Sequence, residues 1–182
     1  MSAYTVEKET AIDAVADGDL IRVYDTRGGD YNSVSVAQLR AGLAGGVVNT
    51  TATTLSITAA SHAGKTVTIS TAAPIAITMP AATGTGNKYR FWVAVACTGT
   101  ASTIAALTTD TISGYAWAVT TTSDVAEGFK TSATSDKVSL NGTTLGGVVG
   151  DVYEFIDVKD AVWSVQGYTA PTGTEATPFS AT

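Results

Sequence analysis

Cysteine and histidine are almost absent from this 182-residue sequence, which contains one of each, Cys97 and His62. A single cysteine excludes a disulfide within the chain. One Cys and one His also fall short of the several nitrogen and sulfur ligands that a structural zinc site needs. No apolar run approaches the roughly 20 residues of a membrane-spanning helix. The usual groups for redox, metal and nucleophilic chemistry are therefore nearly missing.

Negative charge is missing from a long stretch of the chain. Residues 46–109 contain no Asp or Glu, whereas residues 1–45 carry 7 acidic and 4 basic side chains. Of the 32 Thr, 29 lie from Gly46 onward, and Thr-rich segments with few charges favour sheet over helix. We therefore predict two parts. Residues 1–45 form an N-terminal arm and a small hairpin-helix module, and residues 46–182 form a Thr/Ala/Gly-rich β domain with an irregular C-terminal tail.

The overall charge of −6 argues against a nucleic-acid surface, which needs clustered basic residues. The small basic pairs Lys88/Arg90 and Arg22/Arg27 are predicted to point outward. The first residues are acidic and lack the apolar core of a signal peptide. We therefore expect a protein made in the cytoplasm, with no nucleic-acid or membrane partner.

Turn and capping signals in the sequence predict the secondary structure of the first module. The alternating run 20–25 predicts a strand, 26–30 a turn, and 31–36 the returning strand of a hairpin. Ser35 and Gln38 have the spacing of a capping box, which predicts a short helix over 36–43. The arm over residues 1–10 shows little periodicity.

Short alternating runs with turn signals every eight to twelve residues characterise the second part and predict a β-sandwich or jelly-roll-like domain. In the strand near residue 90, Tyr89, Phe91, Val93 and Val95 are expected to share one face, with Arg90, Trp92 and Ala94 on the other. The Thr-Ala-Ala recurrences are short and irregular, so no solenoid is predicted. The predicted strands are 54–58, 66–70, 75–79, 89–95, 102–107, 114–120, 128–131, 137–141, and the hairpin 152–158 with 161–168.

Candidate catalytic and metal-binding groups do not form a recognisable constellation. His62 follows Ser61 in a predicted loop without the G-x-S-x-G pattern, and we expect a surface residue. Cys97 ends an apolar run and is expected to be a small buried residue. Asp13, Asp17 and Asp19 lack the spacing of an EF-hand loop and predict a solvated acidic turn.

Two further patterns also fail as sites. Glu154 and Asp157 fall on opposite faces of one strand, so they are not a glycosidase pair. Residues 84–87 lack the Lys and following helix of a phosphate-binding loop. We predict no catalytic, cofactor-binding or metal-binding residue, no cofactor, and a protein that is not an enzyme.

The three tryptophans, Trp92, Trp117 and Trp163, allow two interpretations. They could form a platform on which sugars stack, or they could fill the core or a subunit interface. The sequence favours the second, because no ladder of exposed aromatic residues is discernible in it.

Several stretches resemble structural proteins of tailed bacteriophages, including head fibres, decoration proteins and parts of tail fibres. The similarity spans most of the chain, although each motif is a turn pattern and not a chemical site. The resembling stretches are 17–25, 33–39, 58–66, 79–86, 137–144, 150–155 and 173–180.

This resemblance implies a virion protein that binds the outside of the capsid as a trimeric decoration (cement) protein and stabilises the head. Its implied partner is the major capsid protein, and its implied location is the capsid exterior. The Thr-rich composition and acidic charge suit such a soluble, persistent surface protein. The alternatives are a neck or tail fibre component and, from another class, a glycan-binding β module.

Overall fold

The computed structural model describes residues 20–24, 31–35, 45–99, 102–120 and 125–181. The chain divides into two compact units, residues 1–44 and 45–182. In the first unit, β1 (Leu20–Tyr24) pairs antiparallel with β2 (Tyr31–Ser35), which is the strand pair that the sequence predicts. The predicted helix over 36–43, the arm over 1–10 and the acidic turn at 13–19 lie outside the described residues.

The second unit contains two sheets. The seven-stranded sheet has the strand order β10-β9-β13-β12-β7-β5-β3, and the five-stranded sheet has the order β14-β11-β8-β6-β4. A one-turn helix, α1, lies between β4 and β5. The bounds are β3 Val47–Thr50, β4 Thr54–Ser56, α1 Ala59–His62, β5 Thr66–Ile69, β6 Ala76–Thr78, β7 Lys88–Val93, β8 Ser102–Ala105, β9 Thr111–Val119, β10 Ala126–Lys130, β11 Lys137–Leu140, β12 Val152–Lys159, β13 Val162–Thr169 and β14 Phe179–Ser180.

The chain from β3 to β8 winds between the two sheets. Strands β3, β5 and β7 lie parallel in the large sheet, while β4, β6 and β8 lie parallel in the small one. Each turn of the chain, or coil, therefore contributes one strand to each sheet. This is the arrangement of a short solenoid, which the sequence analysis did not predict. Val47, Thr66 and Arg90 occupy neighbouring register positions across the coils. Their unequal sequence spacing explains why no fixed repeat is visible in the sequence.

The antiparallel part closes the structure. Strand β12 lies between β7 and β13, and β11 lies between β8 and β14. The mainly β, sandwich-like prediction is confirmed, and the parallel pairs distinguish the fold from an antiparallel jelly roll. Sequence reasoning missed β3 and β14. The tail predicted to be irregular places the buried Phe179 beside Val138 of β11.

The buried apolar residues that the structure describes form one core, between the two sheets of the second unit. Strand β7 alternates as predicted, because Tyr89, Phe91 and Val93 are buried while Lys88, Arg90 and Trp92 are not. Edge-to-face contacts join Phe91 to Phe155 at 5.7 Å and Tyr89 to Trp163 at 5.6 Å between ring centroids. The extension of this pattern to Val95 is wrong, because the strand ends at Val93 and Val95 is 39% exposed.

Gly167 makes room for a buried tyrosine. It lies opposite Tyr153 in the β12–β13 pair. A Cβ atom at Gly167 would stand 2.7 Å from Cε1 of the Tyr153 ring, closer than two carbons can approach. Tyr153 is itself fully buried, so its ring has little space into which to move.

We expect Gly167→Ala to destabilise the protein by about 1–3 kcal/mol, because the added methyl overpacks the core at Tyr153. Chemical denaturation measures the change in the free energy of unfolding. Ser164→Ala is the matched control, since Ser164 lies half-buried on the same strand but on its other side. The control is expected to stay within about 0.5 kcal/mol of the parent protein. Equal stabilities for the two variants would contradict the packing argument.

We also expect residues 45–182 to fold without residues 1–44, because this unit contains the five- and seven-stranded sheets and all the buried apolar residues that the structure describes. Far-UV circular dichroism of the truncated protein should show a β spectrum and a single cooperative thermal transition. A spectrum of unfolded chain would mean that the first unit supplies part of the second unit's core.

Candidate functional site: the outer face of the large sheet

The outer face is the side of the seven-stranded sheet that points away from the core. Its side chains come from alternate positions of β7, β12, β13, β9 and β10. Strand register aligns four of them across neighbouring strands, and we call these the aromatic row. Its members, in strand order, are Trp92, Val152, Tyr168 and Trp117.

Aromatic side chains on the outer face are substantially exposed. The exposed fraction is 39% for Trp92, 46% for Trp117 and 60% for Tyr168. Tyr115 stands beside Trp117 in an edge-to-face contact, with 6.3 Å between ring centroids. The Trp117 ring also lies against Gly128 of β10, where a Cβ atom would come within 3.3 Å of its Cζ3 atom. The absence of a side chain at Gly128 thus leaves space for the indole over the neighbouring strand.

A second line of side chains runs alongside, and we call it the polar row. It comprises Arg90, Glu154, Gln166, Tyr115 and Lys130. Arg90 and Glu154 face each other directly on β7 and β12. Within the described ranges, the side chains of Arg90, Glu154 and Gln166 form no hydrogen bond or ion pair. Their donors and acceptors are therefore available to a ligand.

Shallow hollows surround Trp117 and Tyr168. One of about 320 Å³ lies between these two rings and is also lined by Val119, Val149 and Asp151. One of about 210 Å³ is bounded by Tyr168 and Val152 together with Arg90, Glu154 and Gln166.

A third hollow, of about 330 Å³, lies on the far side of Trp117, next to Tyr115 and Lys130. The three are neighbours, because the first shares Tyr168 with the second and Trp117 with the third. Apolar walls with a few polar groups are typical of ligand sites.

Asp151 fixes one rim of the outer face. Its buried carboxylate accepts hydrogen bonds from the backbone N–H groups of Gly147 (2.8 Å), Val148 (3.1 Å) and Ala170 (2.8 Å). The hydroxyl of Thr169 donates a fourth, at 2.8 Å. These bonds join the segment before β12 to the end of β13, next to Tyr168. The rim is therefore held by charge-assisted hydrogen bonds.

Asp157 anchors the loop between β6 and β7. Its carboxylate accepts backbone N–H groups from Thr83 (2.9 Å), Gly84 (2.6 Å) and Thr85 (3.0 Å), and the Thr85 hydroxyl donates at 2.6 Å. Gly84 adopts a φ of 76°, which glycine tolerates without strain. The Gly-rich loop therefore does hold an anion, but the anion is the protein's own carboxylate.

These contacts shift the ionisation of Asp157. Burial of the carboxyl by itself raises the pKa, but the hydrogen bonds from Thr85, Gly84 and Thr83 outweigh it, so the pKa lies below its ordinary value. Glu154 points to the other side of the same strand, as predicted, and the two carboxylates do not form a pair.

His62 differs from its sequence-based prediction. It ends α1 and is buried, with Nδ1 accepting the backbone N–H of Thr58 at 3.1 Å. The expected surface position is therefore wrong, because the short helix turns the imidazole inward. Cys97 is buried as predicted, and burial raises the pKa of its thiol.

The tryptophans occupy two different places, the core and an exposed sheet face. Trp163 is fully buried in the core, whereas Trp92 and Trp117 lie on the outer face. Tyr168 and Tyr115 join them there, and this group of exposed aromatic residues was not discernible in the sequence. Strand alternation already placed Trp92 opposite Phe91, but the alignment of Trp117 with Tyr168 depends on the parallel β9–β13 pair.

Among the described residues, no group of three or more His, Cys, Asp and Glu side chains is arranged to hold a metal ion. The described ranges also contain no helix that is both long and apolar enough to cross a bilayer.

Comparisons of the chain with protein-family models, with curated proteins and with solved structures found no match.

We expect Asp157→Asn to destabilise the protein by about 2 kcal/mol at neutral pH, because hydrogen bonds to a charged acceptor are lost. A lowered pKa means that the Asp157 contribution is complete above the ordinary Asp pKa of about 4 and disappears as the pH falls through the folded-state value. The difference between parent and variant should therefore shrink on acidification.

Denaturation at a series of pH values between about 7 and 2 measures this dependence. The matched control is Asp160→Asn, which removes an exposed carboxylate three residues away. A constant difference between parent and Asp157→Asn across the series would contradict the assignment.

Proposed function

We propose that this protein is a structural component of a tailed-phage virion, bound to the outside of the capsid as a trimeric decoration protein. The observation that carries the proposal is the division of the chain into a small unit and a larger two-sheet unit. The small unit lies within the segment that contains 7 acidic and 4 basic side chains. The resemblance of most of the chain to structural proteins of tailed phages, which include head fibres, decoration proteins and parts of tail fibres, supports a virion function.

The small unit is the proposed anchor to the major capsid protein. A short charged segment buries little apolar surface of its own and can recover its ordering entropy through contacts with a partner. The large unit is the proposed exposed body. In this arrangement the protein acts mechanically, since binding to several neighbouring capsid subunits stabilises the assembled shell over its separated parts.

The two edges of the large sheet support a closed trimer. Strands β3 and β10 form its ends, and the apolar residues Val47 and Val125 beside these ends are 71% and 57% exposed. A ring of three copies needs two different surfaces that fit each other, and unlike sheet edges provide such a pair.

The copy number of the protein in purified particles tests the proposal. Gel quantification against the major capsid protein should give hundreds of copies per particle, as decoration of a whole shell requires. A handful of copies would instead support the alternative of a neck or tail fibre component and would contradict decoration.

Binding to capsids that lack the protein tests the anchor. We expect the full chain to sediment with such capsids and residues 45–182 to remain in the supernatant. Light scattering of the full chain in solution should give the mass of three copies. Equal sedimentation of both forms would assign capsid binding to the large unit, and the absence of any binding by the full chain would reject the decoration function.

A further inference from the structure

We propose that the outer face of the large sheet binds a linear acidic oligosaccharide, with sugar rings on Trp117 and Tyr168 and a sugar carboxylate at Arg90. This inference goes beyond capsid attachment and does not depend on it. It rests on three features of this face: the exposed aromatic rings, the polar side chains beside them and the local excess of positive charge.

The aromatic row supplies the stacking surfaces. Tyr168 and Trp117 are register partners on adjacent strands and are about half exposed, so their rings present apolar area to solvent. The apolar faces of pyranose rings can cover such area while their hydroxyls remain at the edge. Neighbouring hollows are distributed from β7 across to β10, which suits a chain of sugars better than one small molecule.

The polar row supplies hydrogen-bonding groups beside those rings. Arg90, Glu154 and Gln166 line the same hollow as Tyr168. Their side chains form no hydrogen bonds or ion pairs with the described part of the chain, so the guanidinium and amide can donate while the carboxylate accepts. A sugar in this hollow could therefore donate and accept hydrogen bonds while it contacts the Tyr168 ring.

The charge of the face selects an acidic sugar. The chain has a net charge of −6, yet Lys65, Lys88 and Arg90 gather with Glu154 around a neighbouring hollow of about 240 Å³. Lys130 adds another positive charge at the opposite end of the polar row. A local excess of cations on an acidic protein attracts anions over short range.

The same arrangement argues against a protein partner on this face. The centres of protein interfaces are depleted of Lys, Glu and Asp, because burying an unpaired charge is unfavourable. Glu154 lies on β12, the middle strand of the large sheet, and Arg90 faces it from β7, next to the aromatic row. An oligosaccharide leaves such groups partly hydrated and can pair with them through hydroxyls and carboxylates.

Calorimetry of the full chain with oligogalacturonate, oligomannuronate and a neutral cello-oligosaccharide tests the proposal. We expect at least one acidic oligosaccharide to bind more tightly than the neutral one. Its affinity should fall as sodium chloride rises from about 50 to about 500 mM, because salt screens the charges.

Two variants locate the site. Tyr168→Ser removes an exposed ring and should weaken binding about tenfold. Arg90→Gln should weaken binding of the acidic oligosaccharide about tenfold or more, with little effect on any binding of the neutral one. The matched controls are Leu107→Ser, at an exposed residue that follows β8, and Lys137→Gln on β11. Both residues belong to the side of the five-stranded sheet, outside the outer face, and both variants should bind as the parent does.

Three binding results would overturn the proposal. They are no binding of either acidic oligosaccharide, equal or tighter binding of the neutral one, and binding that neither Tyr168→Ser nor Arg90→Gln weakens. A loss of capsid sedimentation or of trimers in Tyr168→Ser would likewise assign this face to a protein interface. Failure of capsid binding with glycan binding intact would leave this inference standing and reject only the decoration function.

Discussion

Buried carboxylates that accept backbone N–H groups hold this structure together at its loops. A fold whose chain moves repeatedly between two sheets has many connections, and their amides need partners once they leave the sheets. Asp110 accepts from Ala82 at 2.7 Å, Asp151 accepts from three amides and a hydroxyl, and Asp157 accepts from the loop at 83–85. Each carboxylate accepts at least one hydrogen bond from a segment that is distant in the sequence, so the loops become part of the rigid body.

This anchoring has a consequence for the outer face. Asp151 ties the end of β13 to the turn before β12, and Tyr168 lies at that end. On the neighbouring strand, Trp117 is positioned by its parallel register with Tyr168 and by the space over Gly128. The exposed rings are thus attached to fixed backbone, which lowers the entropy that a ligand must overcome on binding.

The proposed functions use different parts of the chain. Capsid attachment is assigned to the small charged unit, while the acidic oligosaccharide is assigned to the outer face of the large unit. A virion surface protein that combined them would be held by one unit and would present the other to its surroundings. The polar hollow at Arg90 and Glu154 is the feature that separates this interpretation from one in which the sheet face is simply a subunit contact.

Much of the fold followed from the sequence. Alternation placed Tyr89, Phe91 and Val93 in the core, and it placed Lys88, Arg90 and Trp92 outside. The β12–β13 hairpin was also predicted, within a residue at each end. These features depend on the two-residue period of a strand, which is local and visible in a single run of sequence.

The alignment of the candidate site depended on tertiary structure. Trp117 and Tyr168 are far apart in the sequence, and only the parallel pairing of β9 with β13 makes them neighbours. His62 became buried through a single helical turn, and the Gly-rich loop was occupied by Asp157 from a distant strand. Composition and alternation determined which residues face inward or outward, because that depends on nearest neighbours along the chain. Which outward residues meet on one surface depends on strand order and register, and the long-range contacts of the folded chain decide both.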